Sequence, residues 1–173
     1  MHKFLEHYIL GTGYADLTRI GCEARPMADK IIEVGLTPVE EYYGSEVMLH
    51  YPGLFAGSTD LVCLHNDMET IVDFKQSNRP KKKEWIEDYF LQISAYAMAH
   101  DYVYGSQIKQ GVIMVCTPDL YYQEFKVEGL QLRKYKHQFL KRLDMYNELI
   151  HDEKERAKVD ENALLKEFEK DGK

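Results

Sequence analysis

Two runs decide the fold: Phe55-Ala56-Gly57-Ser58-Thr59-Asp60-Leu61-Val62-Cys63-Leu64-His65 and, after Asn66-Asp67, Met68-Glu69-Thr70-Ile71-Val72-Asp73-Phe74-Lys75. Both alternate in polarity and are rich in β-branched and aromatic residues, which predicts strands over 55–65 and 70–75. Asn66-Asp67 is turn chemistry between them. A two-residue turn makes His65 face Met68 and, further down the ladder, Asp60 face Asp73. Facing positions hold their β-carbons roughly 4.5 to 5.5 Å apart, so two carboxylates there repel and need neutralising. A four-residue loop would shift the pairing by two and keep both acids on one face, whereas an odd length would separate them. Lys75 lies two residues beyond Asp73 and leaves the strand on the same face.

Outward from this hairpin, a further strand is expected over 40–50, joined through Pro52-Gly53. Toward the C-terminus come a polar loop (76–80), a helix over 82–100 with Ile86, Phe90, Ile93 and Ala97 at helical spacing, strands over 108–116 and 121–127, and an amphipathic helix over 130–150. Toward the N-terminus, helices are expected over 2–10, stopped by Gly11 and Gly13, and over 25–34, with Pro26 in the first turn and Gly35 as the stop. Strands interrupted by helices predict an α/β fold with a mixed β-sheet of about five strands flanked by helices. Residues 1–150 form one expected domain and 151–173 a charged C-terminal helix or tail.

The chain has 173 residues, one ordinary domain in size, and 45% hydrophobic residues, enough for a core. Lys plus Arg number 22 against 29 Asp plus Glu, a net charge of −7, which argues against coating nucleic acid by bulk charge. No apolar run approaches the ~20 residues of a membrane span, and no signal peptide is evident, so a cytoplasmic location is expected. Cys22, Cys63 and Cys116 are too few and too scattered for a disulfide framework or an iron-sulfur cluster, which needs about four thiolates.

Carboxylate oxygens are what Mg²⁺ prefers, with waters and a substrate phosphate completing its shell. A lysine beside them can position or deprotonate an attacking water. Alone, however, D-x-K is short and common, and a solvated ion pair explains it as well.

The wider pattern resembles the PD-(D/E)XK nuclease superfamily. In its RecB-like and Cas4-like branch, an early histidine is followed by G-x-x-D, (D/E)-x-K and Q-x-x-x-Y. Here those are His2 (in His2-Lys3-Phe4-Leu5-Glu6), Gly57 to Asp60, Asp73 to Lys75, and Gln92 to Tyr96. Lys75-Gln76-Ser77-Asn78-Arg79-Pro80-Lys81 and Leu91-Gln92-Ile93-Ser94-Ala95-Tyr96 are similar to stretches of the mitochondrial genome maintenance exonuclease group and its phage-encoded relatives, with Gln76 in place of a threonine. The likeness covers most of residues 1–150. It implies a restriction-endonuclease-like core and a Mg²⁺- or Mn²⁺-dependent exonuclease on single-stranded or end-bearing DNA, serving replication, repair or recombination in a cytoplasm, the host's if phage-encoded. It also implies roles: Asp60, Asp73, His2 and the Phe74 backbone carbonyl for metal, Lys75 for the attacking water, and Gln92 and Tyr96 for orienting Lys75 or the DNA backbone. Relatives have helices ahead of the histidine, and their absence is expected here. A catalytically silent binding module and a site-specific endonuclease are the alternatives.

Between Lys75 and Lys83 lie five basic residues and no acid. Such a run is often a solvated face, but beside a phosphodiesterase site it suits phosphates. Ser77, Arg79, Lys81, Lys82, Lys83 and Trp85 are the candidate DNA contacts. Trp85 and Tyr89 could stack bases, although aromatic pairs on amphipathic helices more often pack inward.

Overall fold

A computed structural model describes the backbone of residues 1–171 and the side chains of residues 1–152. Five strands are hydrogen-bonded in the order β1 (Val39–Tyr51), β2 (Phe55–His65), β3 (Met68–Gln76), β4 (Gln110–Cys116) and β5 (Tyr122–Glu128). All neighbours are antiparallel except β3 and β4, which run parallel. A parallel pair needs a crossover, and α3 (Glu87–Tyr104) supplies it. The expected mixed α/β sheet is therefore present.

The central turn is the two-residue one. Asn66 and Asp67 have φ of 49° and 59°, the left-handed region that asparagine and aspartate tolerate, and His65 faces Met68. From there the ladder runs in strict alternation to Leu61 facing Val72. Leu61, Cys63, Val72 and Phe74 point to one core, shared with Leu5, Met27 and Ile31 from the N-terminal helices; Val62 and Ile71 point to the other, shared with Phe90, Ile93 and Ala97. Asp73 and Lys75 fall on the α3 face by the same period.

One helix departs from expectation. α2 runs Arg19–Lys30, so Pro26 sits inside it and not in its first turn; a π turn, Ile31–Gly35, continues it. The missed start is a side-chain cap: Thr18 Oγ1 accepts from the amide of Gly21 at 3.1 Å, and Asp16 in turn accepts from Thr18. The first helical turn exposes Ile20 and buries Gly21, so no apolar periodicity announces it. The loop before α3 holds a 3₁₀ turn, Lys83–Trp85, and α3 extends to Tyr104 with Gly105 as its left-handed stop.

The first helix is α1 (His2–Ile9) and the last is α4 (Gly129–Asp171). The chain divides into a compact unit, Met1–His137, and a second, Gln138–Lys173. In the first unit α4 contributes buried Leu132, and Tyr135 stacks on Phe90 with centroids 5.2 Å apart. The expected boundary at residue 150 falls within α4, and the side chains of 153–173 lie outside the described residues. No described helix is long and apolar enough to cross a membrane.

Candidate active site

Below the pair Leu61 and Val72, β2 leaves β3 while still pairing with β1 as far as Phe55. Side chains replace the lost ladder. Thr59 Oγ1 donates to the Val72 carbonyl at 3.3 Å, and the Phe74 amide donates to Asp60 Oδ2 at 2.6 Å. A strand residue's N–H and C=O point the same way, so the Phe74 carbonyl also faces this opening. His2, at the start of α1, meets it there: Nε2 lies 2.7 Å from Phe74 O and 3.5 Å from Asp60 Oδ2. The divergence of two strands thus gathers His2, Asp60 and the Phe74 carbonyl at one place.

Asp73 is buried, at 4% exposure. Burial pushes its carboxyl up to about 6; the Lys75 ammonium opposes that shift and Asp60 adds to it. Lys75 Nζ stands 2.6 Å from Asp73 Oδ2 as an ion pair, although that oxygen lacks a partner with hydrogen-bond geometry. The same ammonium lies 5.2 Å from the centroid of the Tyr89 ring. The His2 imidazole is raised by its contact with Asp60, against the opposing effect of burial.

On α3, one helical turn separates Gln92 from Tyr96, and Gln92 Nε2 donates to the Tyr96 hydroxyl at 2.9 Å. Gly57 is required by this ring: a β-carbon there would stand 2.7 Å from Tyr96 Cε1 and 3.3 Å from its hydroxyl. Gly57→Ala should displace the Tyr96 ring and cost about 1 to 3 kcal/mol of stability, the usual range for overpacking. Urea unfolding checks this; unchanged stability would mean that the ring yields to the added methyl without cost.

The basic segment comes directly after β3. Ser77 is buried, and its hydroxyl donates to the Arg79 carbonyl at 2.7 Å, so it shapes the loop from within. Lys82 Nζ lies 5.3 Å from the Trp85 centroid, and Trp85 is 59% exposed. Lys83 Nζ lies 5.8 Å from the Phe90 centroid. Arg79 is exposed and Lys81 half-buried. Of the two aromatic residues, Trp85 is the outward one, and Tyr89 sits under Lys75. Sequence reasoning missed Tyr89 as a partner of Lys75 and missed Gln123, which binds the backbone of Lys81; Gln123 belongs to a different strand and no local pattern marks it.

The donor set (two carboxylates, a backbone carbonyl and an imidazole) suits a hard or borderline divalent cation. The incompletely bonded, buried Asp73 carboxylate fits that chemistry as well. Among the described residues no three His, Cys, Asp or Glu side chains form a ligand cluster; Asp60 and His2 are each bonded to the Phe74 backbone. All three cysteines are free, Cys22 exposed and the others buried.

No protein-family model matches the chain, and no curated protein matches it. Solved structures do. A protein from Eubacterium rectale described as an exonuclease is similar at 14% identity with a TM-score of 0.57, over 83% of this chain and 62% of that one. The alkaline exonuclease LHK-Exo from Laribacter hongkongensis is similar at 16% identity with a TM-score of 0.35, over 89% of this chain and 84% of that one. The likeness is one of fold. This chain spans 62% of the length of the Eubacterium rectale protein, with which it shares the α/β, restriction-endonuclease-like core.

Proposed function

We propose that this chain is a metal-dependent DNA exonuclease of the PD-(D/E)XK kind, acting in a cytoplasm on single-stranded or end-bearing DNA. One observation carries the reading: Asp60 and His2 meet on the Phe74 backbone where β2 and β3 part, and the neighbouring residue of β3, the buried Asp73, holds the Lys75 ammonium 2.6 Å away. His2, Asp60, Asp73 and Phe74 O would hold Mg²⁺ or Mn²⁺. Such an ion, when bound, polarises a phosphate and lowers the pKa of an attacking water.

The other roles belong to the chain's own groups. Lys75 is held by Asp73 on one side and the Tyr89 ring on another, and it directs its ammonium at the attacking water. Gln92 and Tyr96, bonded to each other on α3, orient Lys75 or the DNA backbone. Arg79, Lys81, Lys82 and Lys83 run along the substrate's phosphates, and Trp85 stacks a base.

The test uses linear single-stranded DNA labelled at the 5′ or 3′ end, beside a closed single-stranded circle. With Mg²⁺ the linear strands should shorten from an end and the circle should survive; with EDTA both should survive. Cutting of the circle would indicate an endonuclease, and salt-sensitive binding without cleavage under any divalent metal would leave only a binding module.

A further inference from the structure

We infer that Gln123 on β5 is a positioning residue for the DNA strand, one that never touches the substrate but fixes the segment that does. The inference rests on the proposed nuclease function. Lys81 N donates to Gln123 Oε1 at 2.7 Å, and Gln123 Nε2 donates to Lys81 O at 2.9 Å. One side-chain amide therefore satisfies both backbone groups of one residue, as a neighbouring strand would. Four residues earlier, the Ser77 amide donates to the Cys116 carbonyl of β4 at 3.2 Å. The segment from β3 to α3 is thus held twice, on β4 at Ser77 and on β5 at Lys81.

The cationic face begins immediately after the second attachment. Lys82 is extended, and the 3₁₀ turn Lys83–Trp85 begins at once, with Lys82 over the exposed Trp85 ring and Lys83 over Phe90. Trp85, Lys82 and Lys83 are all exposed, so little burial of their own anchors them. Their arrangement derives from Lys81, and Lys81 is set by Gln123. A fixed array of ammonium groups and one ring avoids the entropy of ordering a loose loop upon binding. The ligand such an array takes is a single strand, with phosphates on the lysines and a base on Trp85.

The full chain carries the test, with Gln123→Met, similar in size but without the amide, and Gln123→Glu, which keeps the acceptor and loses the donor. Binding of fluorescent oligothymidylate is measured across a salt series with Ca²⁺, and degradation kinetics with Mg²⁺. Losing both bonds in Gln123→Met should raise Kd and KM roughly tenfold and leave kcat within about twofold. The slope of log Kd against log salt should fall by about one contact. Gln123→Glu should fall between wild type and Gln123→Met; if Gln123→Met does not fold, Gln123→Glu alone decides by the same readouts. A merely structural residue would move the melting temperature and not the salt slope. If the wild type binds and cleaves and the variants match it, only the inference falls; if the wild type neither binds nor cleaves, the nuclease reading falls and takes the inference with it.

Discussion

Lys75→Ala should leave single-stranded DNA bound but slow its hydrolysis by a factor of about 10² to 10⁴, the range over which a positioned proton-transfer group contributes. The ammonium of Lys75 is only partly exposed, 2.6 Å from a carboxylate oxygen and over the Tyr89 ring, so its direction is fixed from two sides. In the proposed function the basic segment from Arg79 to Lys83 holds the DNA independently of Lys75, which is why binding should survive. Lys75→Arg should rescue little, because a planar guanidinium cannot reproduce a compact ammonium held over a ring, nor readily give up a proton. Single-turnover rates at saturating protein, with anisotropy for affinity, separate the two effects. A Lys75→Ala protein within about fivefold of wild type in rate would remove Lys75 from the chemistry.

The hairpin was legible because two independent rules agreed on it. Period-two alternation put Asp60 and Asp73 on one face, and Asn66-Asp67 allowed the positive φ values that set the register. The sequence could not reveal that the ladder stops at Leu61 and Val72. Asp60 and Asp73 do not simply face each other: Asp60 turns to the Phe74 amide, while Asp73 is buried beside Lys75. That divergence frees the Phe74 carbonyl from the ladder for His2 to reach, and no rule of strand patterning singles it out.

His2 was legible only through resemblance, since a histidine one turn ahead of Glu6 has no distinctive pattern. Its contact is 72 residues away along the chain. The start of α2 was hidden for a different reason: a Thr18 cap and an exposed first turn carry no apolar period, and Pro26 suggested a start where the helix was already under way. Gln123 went unseen because its bonds go to backbone atoms, and backbone atoms look alike at every residue.

The acid beside Lys75 leads to an effect of the opposite sign. Asp73→Asn should abolish metal-dependent cleavage and yet stabilise the metal-free chain at pH 8 by about 1 to 3 kcal/mol. Burial first, and then Asp60, push the Asp73 carboxyl from 3.8 up to about 6 despite Lys75. The folded chain therefore holds this proton more tightly than the unfolded chain, so Asp73's favourable contribution is complete below about pH 4 and is lost as pH rises through about 6. A shift of that size corresponds to roughly 3 kcal/mol against folding at neutral pH. Asparagine keeps the shape and removes the charge, at the cost of the Lys75 partner, hence the lower end of the range. Urea unfolding in EDTA should show the Asn variant ahead at pH 8 and level with wild type near pH 4. Adding Mg²⁺ should then raise the stability of the wild type alone, since only a chain that binds the ion gains by linkage. A variant less stable than wild type at pH 8, or ahead by the same margin at every pH, would mean that Asp73 is not a strained, buried charge.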